Sequence, residues 1–320
     1  MEQSLKILFV INDLYTRGNG LAASARRTIA LLRERGHHVR ILSALPRDGD
    51  DCGVGMPEYV LPPLRIPLVA PLIASQGYAF ARAKRREIER ALAWADVVHL
   101  EEPFYLQAVV ARYARRRGVP VVATYHIHPE NLTASVCLDR ALPLNRAILE
   151  LWKRAIFNRS DLVQCPSRSV YERVSKLRVR APLLLLSNGV PLGEGVCADG
   201  RETGESAVVR VLVVGRYSRE KDQATILRAL RHSAHARSIQ LTFAGRGPTE
   251  HSLRASARRL LRRGVIAHPV RFAFMSADEL AREASSCDLY VHAARIEVEG
   301  LSALEVLRHG VVPIIARGPL

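Results

Sequence analysis

Glu297 and Glu305 have the spacing in this chain that points most directly to chemistry. They bracket the run Glu297-Val298-Glu299-Gly300-Leu301-Ser302-Ala303-Leu304-Glu305, with seven residues between the two carboxylates. The preceding run, Cys287-Asp288-Leu289-Tyr290-Val291-His292, reads as a short buried strand. The run after Gly300 reads as a helix with Leu301, Leu304 and Val306 at its apolar positions. Glu297 then falls on the loop beyond a strand's carboxyl end, and Glu305 about one turn into a helix. Backbone N–H groups of Gly300 and Leu301, at the helix start, can hold a diphosphate because their dipoles favour negative charge. A carboxylate one turn further on can accept hydrogen bonds from both hydroxyls of a ribose, while the loop carboxylate faces a sugar. The layout suits a nucleotide-sugar site; a solvated helix bearing surface glutamates is the plainer alternative.

Further phosphate chemistry lies upstream. Val214-Gly215-Arg216-Tyr217-Ser218-Arg219-Glu220-Lys221 ends a strand run with a glycine and then offers Arg216 and Lys221. Arginine grips a diphosphate with paired N–H donors and lysine adds a point charge, which a departing phosphate needs if no metal is present. Phe243-Ala244-Gly245-Arg246-Gly247-Pro248 supplies a second strand-end turn, where the backbone at Gly245 can approach a ligand closely. Either turn alone is weak, since doubly wound sheets often place glycine at strand ends. All three in order along one half of the chain form a stronger signal.

The elements that must hold these residues alternate between strands and helices, twice over. Apolar strand runs at 5–11, 39–42, 97–100, 121–123 and 162–165 are joined by segments such as the glycine-rich turn Arg17-Gly18-Asn19-Gly20 and a helical stretch over 21–35. A second set follows at 208–214, 239–244, 270–274, 289–292 and 312–316. Strands of this kind, apolar on both faces and connected by helices, predict parallel doubly wound sheets. The expected organisation is an N-terminal Rossmann-like domain over 1–190, a Gly-rich linker over 191–206 and a second Rossmann-like domain over 207–320. The two would face a cleft, with ligand loops at the strands' carboxyl ends.

The chain has 320 residues, more than one core usually holds, and 48% of them are hydrophobic. No apolar run reaches the length of a membrane span, and the N-terminus lacks a signal-peptide pattern. Its five cysteines are scattered, with no Cys-x-x-Cys pair, which suits free thiols in the cytoplasm and no zinc site. A net charge of +16 implies an acidic partner. An apolar, proline-punctuated stretch over 61–74 leads into the basic segment 78–90, with Arg82, Lys84, Arg85, Arg86 and Arg90. That composition fits a segment lying on an anionic bilayer at the inner face of the membrane, with a solvated helix face as the alternative. Arg112, Arg115, Arg116 and Arg117 form a second cluster. Neither cluster has the interleaved aromatics of a nucleic-acid binder, so nucleic acid is excluded as the expected partner.

Two motifs are set aside. Asp48-Gly49-Asp50 matches an Asp-x-Asp metal signature but sits in a polar, glycine-rich loop and reads as a turn. Arg17-Gly18-Asn19-Gly20 fails the dinucleotide spacing at Ala23, which argues against hydride transfer.

At this point the chain resembles a known family, the retaining glycosyltransferases of family four (group-one glycosyl transferases of the GT-B fold), over nearly its whole length. The likeness rests on Gly18 to Gly20, Asp96-Val97-Val98-His99-Leu100-Glu101-Glu102-Pro103, Ala123-Thr124-Tyr125-His126, Pro166-Ser167 and Ser187-Asn188-Gly189-Val190. It continues through Gly215-Arg216 with Lys221 and Gly245-Arg246-Gly247-Pro248, and closes on the two glutamates. The resemblance implies that Arg216 and Lys221 bind the donor diphosphate, Glu305 the ribose and Glu297 the transferred sugar, with His126 beside the reaction centre. Donor-binding candidates are therefore Gly20, Arg216, Lys221, Gly245, Gly300, Leu301 and Glu305, and catalytic candidates His126 and Glu297. His126 can position the sugar or donate a hydrogen bond, or serve as a structural loop residue. Arg17, His128 and Glu130 are acceptor-side candidates. Tyr125-His126-Ile127-His128-Pro129-Glu130-Asn131 is similar to members that glycosylate lipids.

The resemblance implies a retaining, metal-independent hexosyltransferase that takes a UDP- or GDP-sugar as substrate without a cofactor, with a membrane lipid as preferred acceptor. Retention by front-face attack and by a covalent intermediate both remain open. Family members usually continue beyond the last strand, so the second domain is expected to be incomplete. Two alternatives accompany this reading: a sugar-nucleotide epimerase of the same fold, and a shortened noncatalytic protein that binds nucleotide sugar or membrane.

Overall fold

A computed structural model describes residues 3–46, 49–64, 79–191 and 208–318. The chain divides into two compact units, Met1–Asn188 and Gly189–Leu320. The first is built on a seven-stranded sheet in the order β3-β2-β1-β4-β5-β6-β7. Its strands are β1 (Lys6–Val10), β2 (His38–Ala44), β3 (Tyr59–Leu61), β4 (Val97–Leu100), β5 (Val121–Thr124), β6 (Leu162–Cys165) and β7 (Leu183–Leu185). The second holds five strands in the order β10-β9-β8-β11-β12: β8 (Val209–Val214), β9 (Ile239–Ala244), β10 (Arg271–Ala273), β11 (Leu289–His292) and β12 (Val312–Ile315). Every pairing within both sheets is parallel.

The physical origin is plain in β1, where Leu8, Phe9 and Val10 are all fully buried. A strand covered on both faces can be apolar at every position, and helices on each side supply the cover. One such helix, Gly20–Glu34, starts at Asn19, whose side chain accepts from the Leu21 N–H and so satisfies a donor the helix start leaves free. It buries Ala22, Ala25 and Ile29. Strand order reverses once in each sheet, between β1 and β4 in the first and between β8 and β11 in the second. At such a reversal the connections leave in opposite directions and open a crevice at the strands' carboxyl ends.

In the second unit the turns after β8 and β9 are interlocked. Tyr217 N–H donates to the Arg246 carbonyl at 3.0 Å, and Thr249 N–H to the Tyr217 carbonyl at 3.1 Å. A Cβ on Gly245 would stand 2.1 Å from the Gly215 carbonyl oxygen, and one on Gly247 2.4 Å from that of Tyr217. Only glycine allows main chain to meet main chain here. Tyr217 itself is 1% exposed and donates from its hydroxyl to the Phe243 carbonyl at 2.8 Å.

The sequence missed β3 and β7, three-residue strands at the sheet edges. The basic segment also differs from expectation. Its helix begins only at Arg85 and runs to Trp94, while residues 79–84 lie outside any helix, Ala81 bridges Pro63 and Arg82 N–H bonds the Pro62 carbonyl at 2.7 Å. The helix buries Ile88, Ala91 and Leu92, so its apolar face is turned into the unit and its basic face outward. Tyr78, most of the 61–74 stretch, the 192–206 part of the expected linker, Asp48 and Cys197 lie outside the described residues.

Because the Gly245 site has no room for a methyl group, Gly245→Ala is expected to destabilise the second unit by about 2 kcal/mol. Thermal unfolding checks this; a Tm equal to that of the parent would show that the interlock relaxes freely.

Candidate functional site

The loops after β8 and β11 meet across the strand-order reversal of the second sheet. Lys221, beyond β8, forms an ion pair with Glu297, beyond β11. The same carboxylate oxygen, Oε2, takes a hydrogen bond from His292 Nε2 at 3.0 Å. Burial pushes the Glu297 carboxyl up, but the Lys221 charge and the two hydrogen bonds outweigh it and hold the pKa at about 2. Glu297 is therefore an anion that only accepts. His292 is buried and its Nδ1 lies 3.2 Å from the Tyr290 hydroxyl, which lies 2.8 Å from Ser302 Oγ.

Arg216 is drawn the other way. Its guanidinium bonds Glu220 at 2.6 Å, and the Ser218 hydroxyl donates to the same oxygen at 2.6 Å. Gln223 then closes the turn by donating to the Arg216 carbonyl at 2.8 Å. Glu220 is 2% exposed, so it acts as a buried counter-charge that orients Arg216. Beside them, the Arg246 guanidinium covers the Phe274 ring, 3.4 Å from its centroid. The helix Leu301–Leu307 starts at Gly300 and carries Glu305 in its second half.

The first unit shows a second set of buried charges at carboxyl strand ends. Glu101, after β4, is 2% exposed and bridges two histidines, His99 Nδ1 at 2.6 Å and His126 Nε2 at 2.7 Å. Burial alone would raise its pKa, yet the two imidazoles lower it far below the ordinary carboxylate range. The neighbouring Glu102 behaves oppositely. Its Oε2 accepts from the Asn12 N–H at 2.8 Å, Asn12 Nδ2 at 2.7 Å and Gln107 Nε2 at 2.7 Å, but these donors do not offset its burial, and its pKa rises to about 8. Asn12 follows β1 and Glu102 follows β4, so this contact spans the first sheet's strand-order reversal.

The structure brings Lys221 and Glu297 together, and joins His126 to Glu101. His128 and Glu130 are buried in a separate cluster, with Arg173 at 3.1 Å from His128 Nδ1 and 2.7 Å from Glu130 Oε1, and with the Tyr125 hydroxyl on the same His128 nitrogen at 3.0 Å. Arg17 is two-thirds exposed and paired with Asp50. Asp50 also accepts the Cys52 N–H at 2.9 Å, as a turn residue does. Gly20 begins the helix after Asn19, and open space surrounds the place its Cβ would occupy. Sequence reasoning missed His292, Tyr290, Glu220 and Asn12. A signal existed for His292, a polar residue closing an otherwise apolar strand just before Glu297. Among the described residues no group of three or more His, Cys, Asp or Glu side chains is placed to hold a metal ion. Among the same residues no helix is long and apolar enough to cross a membrane.

Residues 18–194 match the model of Glycosyltransferase Family 4, and residues 205–319 that of Glycosyl transferases group 1. The chain belongs to glycosyltransferase family 4. No curated protein sequence matches it. Several solved structures share the fold of this family member. Anabaena Alr3699/HepE in complex with UDP-glucose aligns with a TM-score of 0.69 at 17% identity, covering 98% of this chain and 81% of that one. Sucrose-phosphate synthase from Thermosynechococcus elongatus gives 0.67 at 17% identity, covering 98% and 82%. The pneumococcal O-GlcNAc transferase GtfA, in complex with UDP and GlcNAc, gives 0.66 at 10% identity, covering 100% and 85%. The fold is GT-B, with two Rossmann-like parallel-sheet domains, and the chain is a glycosyltransferase.

The opposed carboxyls of Glu101 and Glu102 lead to a pH-dependent expectation. Between the ordinary carboxylate range and about pH 8, unfolded Glu102 ionises while the folded chain still holds its proton, so the wild type loses stability as pH rises. Glu102→Gln keeps an oxygen acceptor and has no charge to bury. Urea unfolding at pH 5.5 and pH 8.5 should show the variant gaining at least about 1 kcal/mol on the parent between the two. A difference that does not change with pH would mean Glu102 is ionised in the folded state.

Proposed function

We propose that this glycosyltransferase moves a hexosyl group, with retention and without a metal, from a UDP- or GDP-sugar to a membrane lipid at the cytoplasmic face. The observation that carries the donor half is the meeting of Lys221 and Glu297 across the crevice of the second sheet, beside an Arg216 held by buried Glu220. In this reading Arg216 and Lys221 take the diphosphate, and the main chain at Gly245, Gly300 and Leu301 approaches it. Glu305 receives the ribose hydroxyls and Glu297 a hydroxyl of the transferred sugar, while His126, paired with Glu101, and Gly20 are the candidates that the first unit contributes. The C1–O bond to the diphosphate breaks with its electron pair leaving on the phosphate oxygen. The acceptor hydroxyl oxygen then bonds C1, and its proton passes to that phosphate. Fixed cations stabilise the growing charge on the leaving group, the task a metal performs elsewhere. UDP-glucose and UDP in the similar structures support a uridine nucleotide.

The acceptor half rests on charge. Arg82, Lys84, Arg85 and Arg86 are exposed. The helix Arg85–Trp94 packs against the helix Tyr105–Arg117, and Arg112 and Arg116 lie 5.8 and 6.0 Å from the Tyr113 ring centroid. Arg85 also feels Tyr113, and in this reading the two packed helices offer their exposed arginines to one partner. Such a face suits anionic headgroups by charge, since the apolar side of its helix is already buried. Arg17, His128 and Glu130 stand as acceptor-side residues in this reading, with His128 and Glu130 acting through the Arg173 cluster.

Lys221→Ala and Glu305→Ala should each weaken binding of the donor about tenfold or more, as loss of a charge-assisted hydrogen bond does. Calorimetric titration with UDP- and GDP-sugars reads this directly, and unchanged affinity in both variants would sink the site. Replacing Arg82, Lys84, Arg85 and Arg86 by glutamine should release the chain from anionic vesicles at low salt. Equal sedimentation of variant and parent would reject this face. The direct assay is transfer of labelled sugar into the organic phase of a lipid mixture, where label in water-soluble product alone would move the acceptor off the membrane.

A further inference from the structure

Glu297 receives the hydrogen bonds of Lys221 and His292 on one oxygen. Lys221 and His292 each reach Oε2, and among the described residues no hydrogen bond reaches Oε1. The side chain is a quarter exposed. A carboxylate accepts only, so His292 must carry a proton on Nε2. In the neutral imidazole Nδ1 is then an acceptor, and the Tyr290 hydroxyl at 3.2 Å donates to it. Burial raises the Tyr290 phenol well above its ordinary range, which keeps that donor in place. The Tyr290 oxygen is left to accept from Ser302 Oγ at 2.8 Å. Every bond in the series Ser302, Tyr290, His292, Glu297 thus points the same way, and each polar atom has a defined role.

The series is rigid. Tyr290 is fully buried, His292 is 5% exposed, and both sit on β11 with their rings 6.2 Å apart and nearly parallel. Ser302 is the second residue of the helix Leu301–Leu307, so the series ties the Glu297 loop to the start of the helix that carries Glu305. Lys221 alone could not do this, because a lysine on a flexible stem grips a carboxylate without directing its plane. We propose that His292 and Tyr290 are positioning residues for Glu297, holding it through Oε2 and turning Oε1 toward a hydroxyl of the bound sugar. This rests on the reading of Glu297 as the residue that contacts the transferred sugar. The charged groups facing the series are Lys221 from the loop after β8, Glu297 itself, and Glu305 from the helix, which acts on Tyr290.

The first test needs no turnover. Nitrogen NMR of the full chain with ¹⁵N-labelled histidine should show His292 with its proton on Nε2 and a hydrogen-bonded, unprotonated Nδ1. In Tyr290→Phe the Nδ1 signal should move toward that of a free nitrogen. A proton on Nδ1 in the parent, or a His292 spectrum unchanged by Tyr290→Phe, overturns the proposal whether or not the chain transfers sugar. The second test is kinetic and applies to the donor that the parent turns over. His292→Phe should lower kcat about tenfold or more with donor KM within about threefold, and His292→Gln, whose amide can donate to Glu297, should recover most of that loss. Loss of the His292 bond also raises the Glu297 pKa, so the acid limb of kcat/KM should move to higher pH in His292→Phe. A variant with a lower Tm but the kcat and acid limb of the parent would reduce His292 to a structural role. A parent that binds no nucleotide sugar would fail the functional reading instead, and leave the NMR result to decide the hydrogen-bond series.

Discussion

A carboxylate withdrawn from water must be matched by donors or give up its charge, and this constraint organises both halves of the molecule. Glu101, Glu102 and Glu220 are each 2% exposed or less, and Glu297 is mostly enclosed. Each meets the constraint differently. Glu101 takes two imidazoles, Glu220 a guanidinium and a hydroxyl, and Glu297 an ammonium and an imidazole. Glu102 accepts from the Asn12 N–H, the Asn12 amide and the Gln107 amide, and its proton stays bound into the neutral range. All four lie in loops at the carboxyl ends of parallel strands, where the backbone no longer consumes its own polar groups. The sheets provide a dry floor, and the loops provide the charges that a dry floor makes expensive and useful.

The same constraint links the donor reading to the state without ligand. Lys221 is held by Glu297 and Arg216 by Glu220, so the cations assigned to the diphosphate are not idle. In the proposed function an incoming diphosphate competes with Glu297 for the ammonium, while Arg216 reaches out from a counter-charge that stays in place. The exchange swaps one charge-assisted contact for another, so the net gain is smaller than a count of contacts to phosphate suggests.

Much of this was legible in the sequence, and the boundary is physical. Strands buried on both faces announce themselves as apolar runs, and β4, β6, β9 and β11 fall where those runs place them. The strands β3 and β7 do not, because three residues at a sheet edge have too few positions to set a pattern. The loop position of Glu297 and the helical position of Glu305 follow from Gly300 and the periodicity beyond it. The pairing of Lys221 with Glu297, 76 residues apart, does not, because it depends on β8 and β11 becoming neighbours. The pairing of Glu101 with His126 is hidden for the same reason, as His126 arrives from beyond the adjacent strand β5. Arg173, which binds His128 and Glu130, comes from a helix more than forty positions further along.

The interlocked turns after β8 and β9 separate two kinds of evolutionary freedom. At Gly245 and Gly247 the contact is main chain on main chain, so the shape of the crevice wall there is indifferent to which side chains surround it. Neighbouring positions, Arg216, Ser218 and Arg246, can be exchanged without redrawing that wall, because none of them makes it. Two points confined to glycine therefore leave the outward-facing side chains of these turns open to experiment by mutation. A scaffold arranged in this way can change what it recognises while keeping where it recognises it.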